Sequence, residues 1–239
     1  HDVLIGGDAP GEANTIAGNL AAGIALYGGG DGEEGGLPQR ITIAGNAIVN
    51  NGGLGIDLDD DGVTPNDPGD TDLGTNNGMN FPVLSNAANG LAATTQVDFD
   101  ATNLLGNPYT LRFFASTTCD PSGHGEGERL VGVLSLFANG TGTMVLSELV
   151  PLGQAITATA TDLYGDTSEF SACATVSSSL AVTAVVPAPP SASQMVTIQG
   201  TGLPPVVDPK PKALFSQGAT TLEGFVFFGT TQWWVRLPG

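Results

Sequence analysis

The chain has 239 residues, 35 of them Gly and 16 Pro, and only 13% are charged, a composition that favours short strands and tight turns over amphipathic helices. Its 24 acidic against 6 basic residues give a net charge of −18, which excludes nucleic-acid binding by phosphate neutralisation and opposes docking on anionic lipid. No apolar run is long enough for membrane insertion, and the first residue is His1 rather than Met, so the expectation is a processed product or fragment of a secreted or cell-surface protein.

Residues 1 to 58 repeat themselves, and repeats decide architecture before any strand is assigned. Asn14-Thr15-Ile16-Ala17-Gly18-Asn19 returns as Ile41-Thr42-Ile43-Ala44-Gly45-Asn46, and Ala22-Gly23-Ile24-Ala25-Leu26 as Leu54-Gly55-Ile56-Asp57-Leu58, with an insertion over Gly28 to Gln39. Each unit is two short strands around an Asn or Gly turn and cannot bury a face alone. Stacking them puts Ile16 over Ile43, Ile24 over Ile56 and Leu26 over Leu58, with Asn19 and Asn46 hydrogen-bonded along a corner. The prediction is two to three coils of a parallel β-helix.

The next stretch holds seven aspartates, at positions 57, 59, 60, 61, 67, 70 and 72. Asp57, Asp59 and Asp61 alternate and are followed by Gly62, the opening half of a calcium loop: three oxygens converge and the glycine permits the sharp turn. The twelfth position from Asp57 is Pro68, so the bidentate Glu of an EF-hand is missing, and Asp67, Asp70 and Asp72 are the candidates to close the shell. The alternative is a solvated acidic loop. Seven like charges lying within a Debye length of roughly 8 Å favour a counterion, and calcium is the cofactor expected.

The Ile-Gly-Gly turn at Ile5 to Gly7, the Asn-Thr-Ile-x-Gly-Asn repeat, Gly55-Ile56-Asp57-Leu58 and the Asp61 to Asp70 stretch together resemble the end of the right-handed β-helix repeat region of large bacterial surface and secreted proteins. The resemblance continues through Asn80-Phe81-Pro82-Val83-Leu84 and covers most of residues 1 to 178. Such proteins carry many more coils than the two or three here. The resemblance therefore implies a longer solenoid that has been cut, or an open coil covered by a partner.

Beyond Leu84 the period becomes two. Thr95 to Ala101, Tyr109 to Ala115, Leu130 to Phe137, Gly142 to Leu149, Ala155 to Thr161 and Glu169 to Val176 alternate between turns, which predicts an immunoglobulin-like β-sandwich over 85–178. In the same family a domain of this kind carries the phrases seen here as Phe113-Phe114-Ala115-Ser116, Cys119 to Gly123, Gly125-Glu126-Gly127 and Ser168 to Cys173. Cys119 and Cys173 predict one disulfide, against the alternative of two buried thiols. Closing a loop of that length stabilises by roughly 4 kcal/mol in the chain-entropy model. His124, between glycines and near Glu126 and Glu128, is either a metal ligand or an exposed loop histidine, and Asn139-Gly140 reads first as a hairpin turn.

Residues 179–239 start afresh. Val185-Val186-Pro187-Ala188-Pro189-Pro190 and Met195 to Leu203 resemble the first strands of the immunoglobulin-like domains named for plexins and transcription factors, with Phe225 to Gly229 and Trp233 to Pro238 as later strands. About 60 residues is short for that family, which implies missing strands or an edge completed by another chain. Trp233 and Trp234 either stack on glycan rings or pack within the domain.

The sequence is thus expected to form an all-β chain in three blocks, 1–84, 85–178 and 179–239, working as a calcium-stabilised structural or adhesive module. It would associate with itself or with other surface subunits through strand edges near Val3 to Ile5 and near Phe225 to Leu237, head to tail. The alternative is a carbohydrate-binding or polysaccharide-degrading β-helix protein. Residue inventory argues against an enzyme: Arg40 is the one basic residue in 1–84, and His1 and His124 are the only histidines.

Overall fold

The computed structural model describes residues 2–28, 37–90, 94–104 and 108–178 with their side chains, and beyond 178 the backbone of five strands. The chain is all-β, with no α-helix among the described residues. It divides into two compact units, His1–Ala88 with Thr94–Ser177, and Asn89–Ala93 with Ser178–Gly239.

In the first unit six short strands form two stacked rungs. Strands β1 (Val3–Gly6), β2 (Thr15–Ala17) and β3 (Ile24–Leu26) make the first, and β4 (Ile41–Ala44), β5 (Ala47–Val49) and β6 (Ile56–Leu58) the second. Each pairs in parallel with its counterpart: Ile5 with Ile43, Ile16 with Ile48, Ile24 with Ile56 and Leu26 with Leu58. The ladders expected at Ile24–Ile56 and Leu26–Leu58 are present. The one expected between Ile16 and Ile43 is not, because Ile43 lies on the side stacked over Ile5. The corner ladder differs in the same way. Asn46 Oδ1 accepts from the Asn14 backbone N–H and Nδ2, both at 3.0 Å, and Asn51 Oδ1 accepts from the Asn19 N–H and Nδ2 at 3.1 and 2.8 Å. Each Asn thus pairs with the Asn one rung away, not Asn19 with Asn46.

The outer edge of the second rung is closed by side chains and backbone from further along the chain. On β4, Asp166 accepts the Arg40 N–H at 2.5 Å, Asn76 Oδ1 that of Ile41 at 3.1 Å and Thr167 Oγ1 that of Ile43 at 3.0 Å. On β5, Ile48 exchanges two backbone bonds with Gly127, while the Glu126 carboxylate accepts the N–H groups of Asn50 and Asn51 at 2.6 and 2.8 Å. On β6, Glu169 accepts the Leu58 N–H at 2.9 Å. Buried backbone donors must find partners, and this edge finds them without a third rung. The first rung has no such cover among the described residues, and Leu4 on β1 is 66% exposed.

The same unit holds two four-stranded sheets. One has the order β10 (Arg129–Leu136), β9 (Tyr109–Ser116), β12 (Ala155–Thr161), β13 (Ala174–Thr175). The other runs β11 (Thr141–Val145), β8 (Thr95–Asp100), β7 (Val83–Asn89), β14 (Ser177–Ser178). Val97, Phe99, Leu111, Phe113, Val131, Ile156 and Ala158 form a core contributed by both sheets. The first sheet is also covered on its other side, where Phe114, Phe170 and Leu130 pack into one cluster with Ile43, Ile48, Ile56 and Leu58 of the rungs. Every residue of β12 is buried as a result. Gly127 permits the close approach, since a Cβ there would stand 2.7 Å from the Phe114 ring and 2.8 Å from that of Phe170. The two blocks expected at 1–84 and 85–178 therefore share a core, and the 84/85 boundary falls inside β7.

Two sandwich expectations are corrected. Residues 169–173 do not continue a strand from Glu169, because Glu169 and Phe170 turn to the rungs; β13 begins only at Ala174. Asn139-Gly140 is not a hairpin turn, because β10 and β11 belong to different sheets. Asn139 instead donates to the carbonyls of Thr102 and Leu104.

The second unit is a five-stranded antiparallel sheet, ordered β15 (Ala181–Pro187), β16 (Met195–Thr201), β19 (Gln232–Arg236), β18 (Thr220–Val226), β17 (Lys212–Gln217). The free edge expected near Phe225 to Leu237 is absent there: β18 and β19 are interior strands and β15 and β17 are the edges.

Candidate metal centre

The acidic stretch folds back on itself because short Asp and Asn side chains bind nearby backbone groups. Asn66 and Phe81 exchange two hydrogen bonds, and Asn80 Oδ1 accepts from the Asp67 N–H while its Nδ2 donates to Asp67 O. Asp70 Oδ1 accepts the Asn80 N–H at 2.8 Å, and Asp67 accepts from the backbone and hydroxyl of Thr71. These clasps bring Asp67, Asp70 and Asp72 together, each with a carboxylate oxygen within 4.8 Å of the others.

Asp57, Asp59 and Asp61 do not join them. Asp57 Oδ1 accepts the N–H groups of Asp61 and Gly62, and Asp59 accepts that of Thr75, so these carboxylates cap the turns that follow β6. Two of the six residues expected to bind one cation, Asp57 and Asp59, are thus used as backbone caps, and Asp61 lies outside the trio.

The electrostatics differ within the trio. Hydrogen bonds from Thr71 hold the Asp67 carboxyl below the usual range. Burial first, then the charges of Asp67 and Asp59, push Asp72 up. Asp72 Oδ1 is buried and accepts no hydrogen bond. An all-oxygen donor set that includes a residue with an orphaned carboxylate oxygen fits a hard divalent cation. These residues could hold calcium or another metal of that kind.

Asp70 and Asp72 also line a cavity of about 300 Å³ whose far wall is the loop after β12. That loop is braced: Asp162 Oδ1 accepts three backbone bonds, from Tyr164, Gly165 and Asp166, and Asp166 is tied to Asn77 Nδ2 at 2.7 Å. Tyr164 and Leu73 stand at its rim, 58% and 86% exposed. A second cleft of about 350 Å³ lies beside the Cys119 loop, with Asp120, Glu126 and Glu128 on its walls.

Cys119 and Cys173 form a disulfide. His124 bridges to Ala172 and sets its ring 5.3 Å from that of Phe81, so it packs and belongs to no metal-type cluster among the described residues. Trp233 and Trp234 fall in β19, but their side chains lie outside the described part of the structure.

Sequence reasoning missed Asp162, Tyr164 and Asp166 at the cavity, and Glu126 and Glu169 at the rung edge. The signal was present: Asp162-Leu163-Tyr164-Gly165-Asp166 is a turn signature with an acid at each end, Glu126 stands between two glycines, and Glu169 lies beside an aromatic residue in a segment otherwise of Ser and Ala. No helix among the described residues is long and apolar enough to cross a membrane. No protein-family model matches the chain, and no curated protein matches it.

Proposed function

We propose that the chain is a calcium-stabilised structural or adhesive module of a secreted or cell-surface protein. In this reading the two rungs are the closing coils of a right-handed parallel β-helix, and the facing sheets are an immunoglobulin-like sandwich that caps it. The five-stranded sheet is a further immunoglobulin-like domain, of the type named for plexins and transcription factors. The observation that carries the calcium reading is the convergence of Asp67, Asp70 and Asp72, one of which, Asp72, keeps a buried carboxylate oxygen without a hydrogen bond. The disulfide supports an oxidising, extracellular location. The open edges of β1, β2 and β3 support association with another surface subunit, or with further coils, through strand pairing. The reading is non-catalytic, on the residue inventory: of the two histidines, His124 is engaged in packing.

Calcium bound to the native state alone raises stability by about 2.7 kcal/mol at a hundredfold excess over its dissociation constant. Calorimetry of the full chain in calcium and in chelator tests this. The melting temperature should rise with calcium in the wild type, and Asp72→Asn should remove the rise. An equal melting temperature in both buffers overturns the reading.

A further inference from the structure

The five-stranded sheet of the second unit has two unlike faces. Antiparallel partners share a face and neighbours along a strand alternate, so the pairing register sorts its residues by face. On one face Ile198 stands in register with Val185 on one side and Trp233 on the other, Val235 with Val226, and Phe215 with Leu222. Lys212, Glu223 and Arg236, the charged residues of these strands, all fall on the opposite face. The described strands of this unit form one layer. A sheet with one apolar face needs a second layer against it.

Size, composition and charge select that layer. Strands of five to seven residues, five abreast, span about 24 by 20 Å at the usual spacing and rise. Two such faces in contact bury on the order of 1,000 Å², which reaches the range of a stable interface. An apolar centre without a charge matches the core of a permanent homodimer, not the polar surface of a transient partner. Residues 178–239 hold three basic residues, Lys210, Lys212 and Arg236, against two acids, Asp208 and Glu223. Their net charge is +1, so the other residues carry −19 of the chain's total of −18. Two copies meet through this unit without the like-charge repulsion that their acidic parts would impose. Lateral pairing is obstructed, because β15 is bulged after Val182 and ends on Pro187, and β17 begins with Lys212, features that blunt a strand edge.

We propose that a second copy of the chain supplies the missing layer, the two sheets packing face to face across a two-fold axis, about 10 Å apart, as halves of one β-sandwich. The assembly uses neither the acidic trio nor the open edges of β1, β2 and β3, so it stands or falls separately from the calcium reading. Sedimentation equilibrium of the full chain in chelator tests it. The dissociation constant should be about 1 μM or lower, giving twice the chain mass at about 10 μM and above. Ile198→Asp, a charge in the middle of the covered face, should raise that constant about a hundredfold, and Thr197→Asp, on the opposite face, should leave it unchanged. A cross-link covers the case in which Ile198→Asp unfolds the unit. Cys119 and Cys173 are already bridged, so Val235→Cys on the central strand should form an intermolecular disulfide on mild oxidation, and Thr197→Cys should not. A chain that stays monomeric to about 100 μM overturns the inference. So does loss of the dimer in both Asp variants with no cross-link from Val235→Cys. A dimer that survives Ile198→Asp, or equal cross-linking from the two Cys variants, overturns it as well and assigns the association to another surface, such as the rung edges.

Discussion

Glu169 gives the sharpest quantitative test of how the rungs are closed. Its carboxylate is 2% exposed, accepts the N–H groups of Leu58 and Thr64, and lies near the charge of Asp57. Burial pushes its pKa up from 4.5 to about 7 against the opposing effect of those two hydrogen bonds. The folded protein therefore holds a proton between pH 4.5 and 7 that the unfolded chain has released. Stability is fully present below 4.5, declines as pH rises to about 7, and is flat above that. At about 1.4 kcal/mol for each tenfold change in proton affinity, the decline is about 3 kcal/mol. Glu169→Gln removes the titration but points an amide N–H at the Thr64 N–H, losing one hydrogen bond worth about 1 kcal/mol. The variant should be nearly as stable as wild type at pH 5, where about 1 kcal/mol of the decline already offsets the lost hydrogen bond, and about 2 kcal/mol more stable at pH 8. Asp57, Asp72 and Asp162, also raised by burial, act in the same direction, so the difference between the two proteins isolates Glu169. Calorimetry in chelator across this pH range reads that difference, and the amide shift of Leu58 should titrate near pH 7. A wild-type-minus-variant difference that is equal at pH 5 and pH 8 refutes the reasoning.

Three further outcomes are expected. Arg112 holds Asp8 through two bonds at 2.8 Å and Thr161 through a third, so Arg112→Ala should cost about 3 kcal/mol in denaturant unfolding, and Arg112→Lys, with no planar fork, should restore little of it. Phe170→Ala empties the space between Phe114 and the rungs and should lower stability by about 3 to 5 kcal/mol, with faster exchange of the Ile48 and Gly127 amides. Reducing the Cys119–Cys173 bridge, which spans 54 positions, should lower the calorimetric stability by about 4 kcal/mol.

The parallel ladders were legible where the 32-residue spacing is obeyed, as in Ile24–Ile56 and Leu26–Leu58. They were misread at Ile16, whose true partner Ile48 obeys the same spacing, because all sides of a rung use one local grammar. An apolar-x-apolar strand followed by Gly and Asn fits any side, so the best sequence match joined two different ones. Backbone pairing decides the matter. Most strands of the facing sheets could be read from their period of two, but β7 at Val83–Asn89 was not, and neither was the packing of one sheet on the rungs. Phe114 occupies a position that alternation assigns to solvent, and Phe170 one that alternation would place beside Ala174 and Val176; only the three-dimensional path shows that both pack on the rungs. In the acidic stretch the residue types were readable and their division of labour was not. An Asp accepts whichever backbone donor the turn brings near, and the turns after β6 deliver donors to Asp57 and Asp59 before any cation can claim them.

The net charge of −18 has a related meaning. Taken as composition it points to cations, yet Glu126, Asp166 and Glu169 serve inside the fold as acceptors for the unpaired edge of the second rung. A carboxylate suits that edge because both of its oxygens accept, whereas Asn or Gln would turn a donor toward one of two donors. Glu126 uses both oxygens on successive N–H groups, and Asp166 uses one on the Arg40 N–H and the other on Asn77. Acidic residues spent on backbone capping hold their position without a metal, so charge density alone does not locate the cation. The orphaned Asp72 Oδ1 marks where one could be held: of the buried carboxylate oxygens described, it is the one that has found no donor, and its neighbours Asp67 and Asp70 could share a metal ion with it.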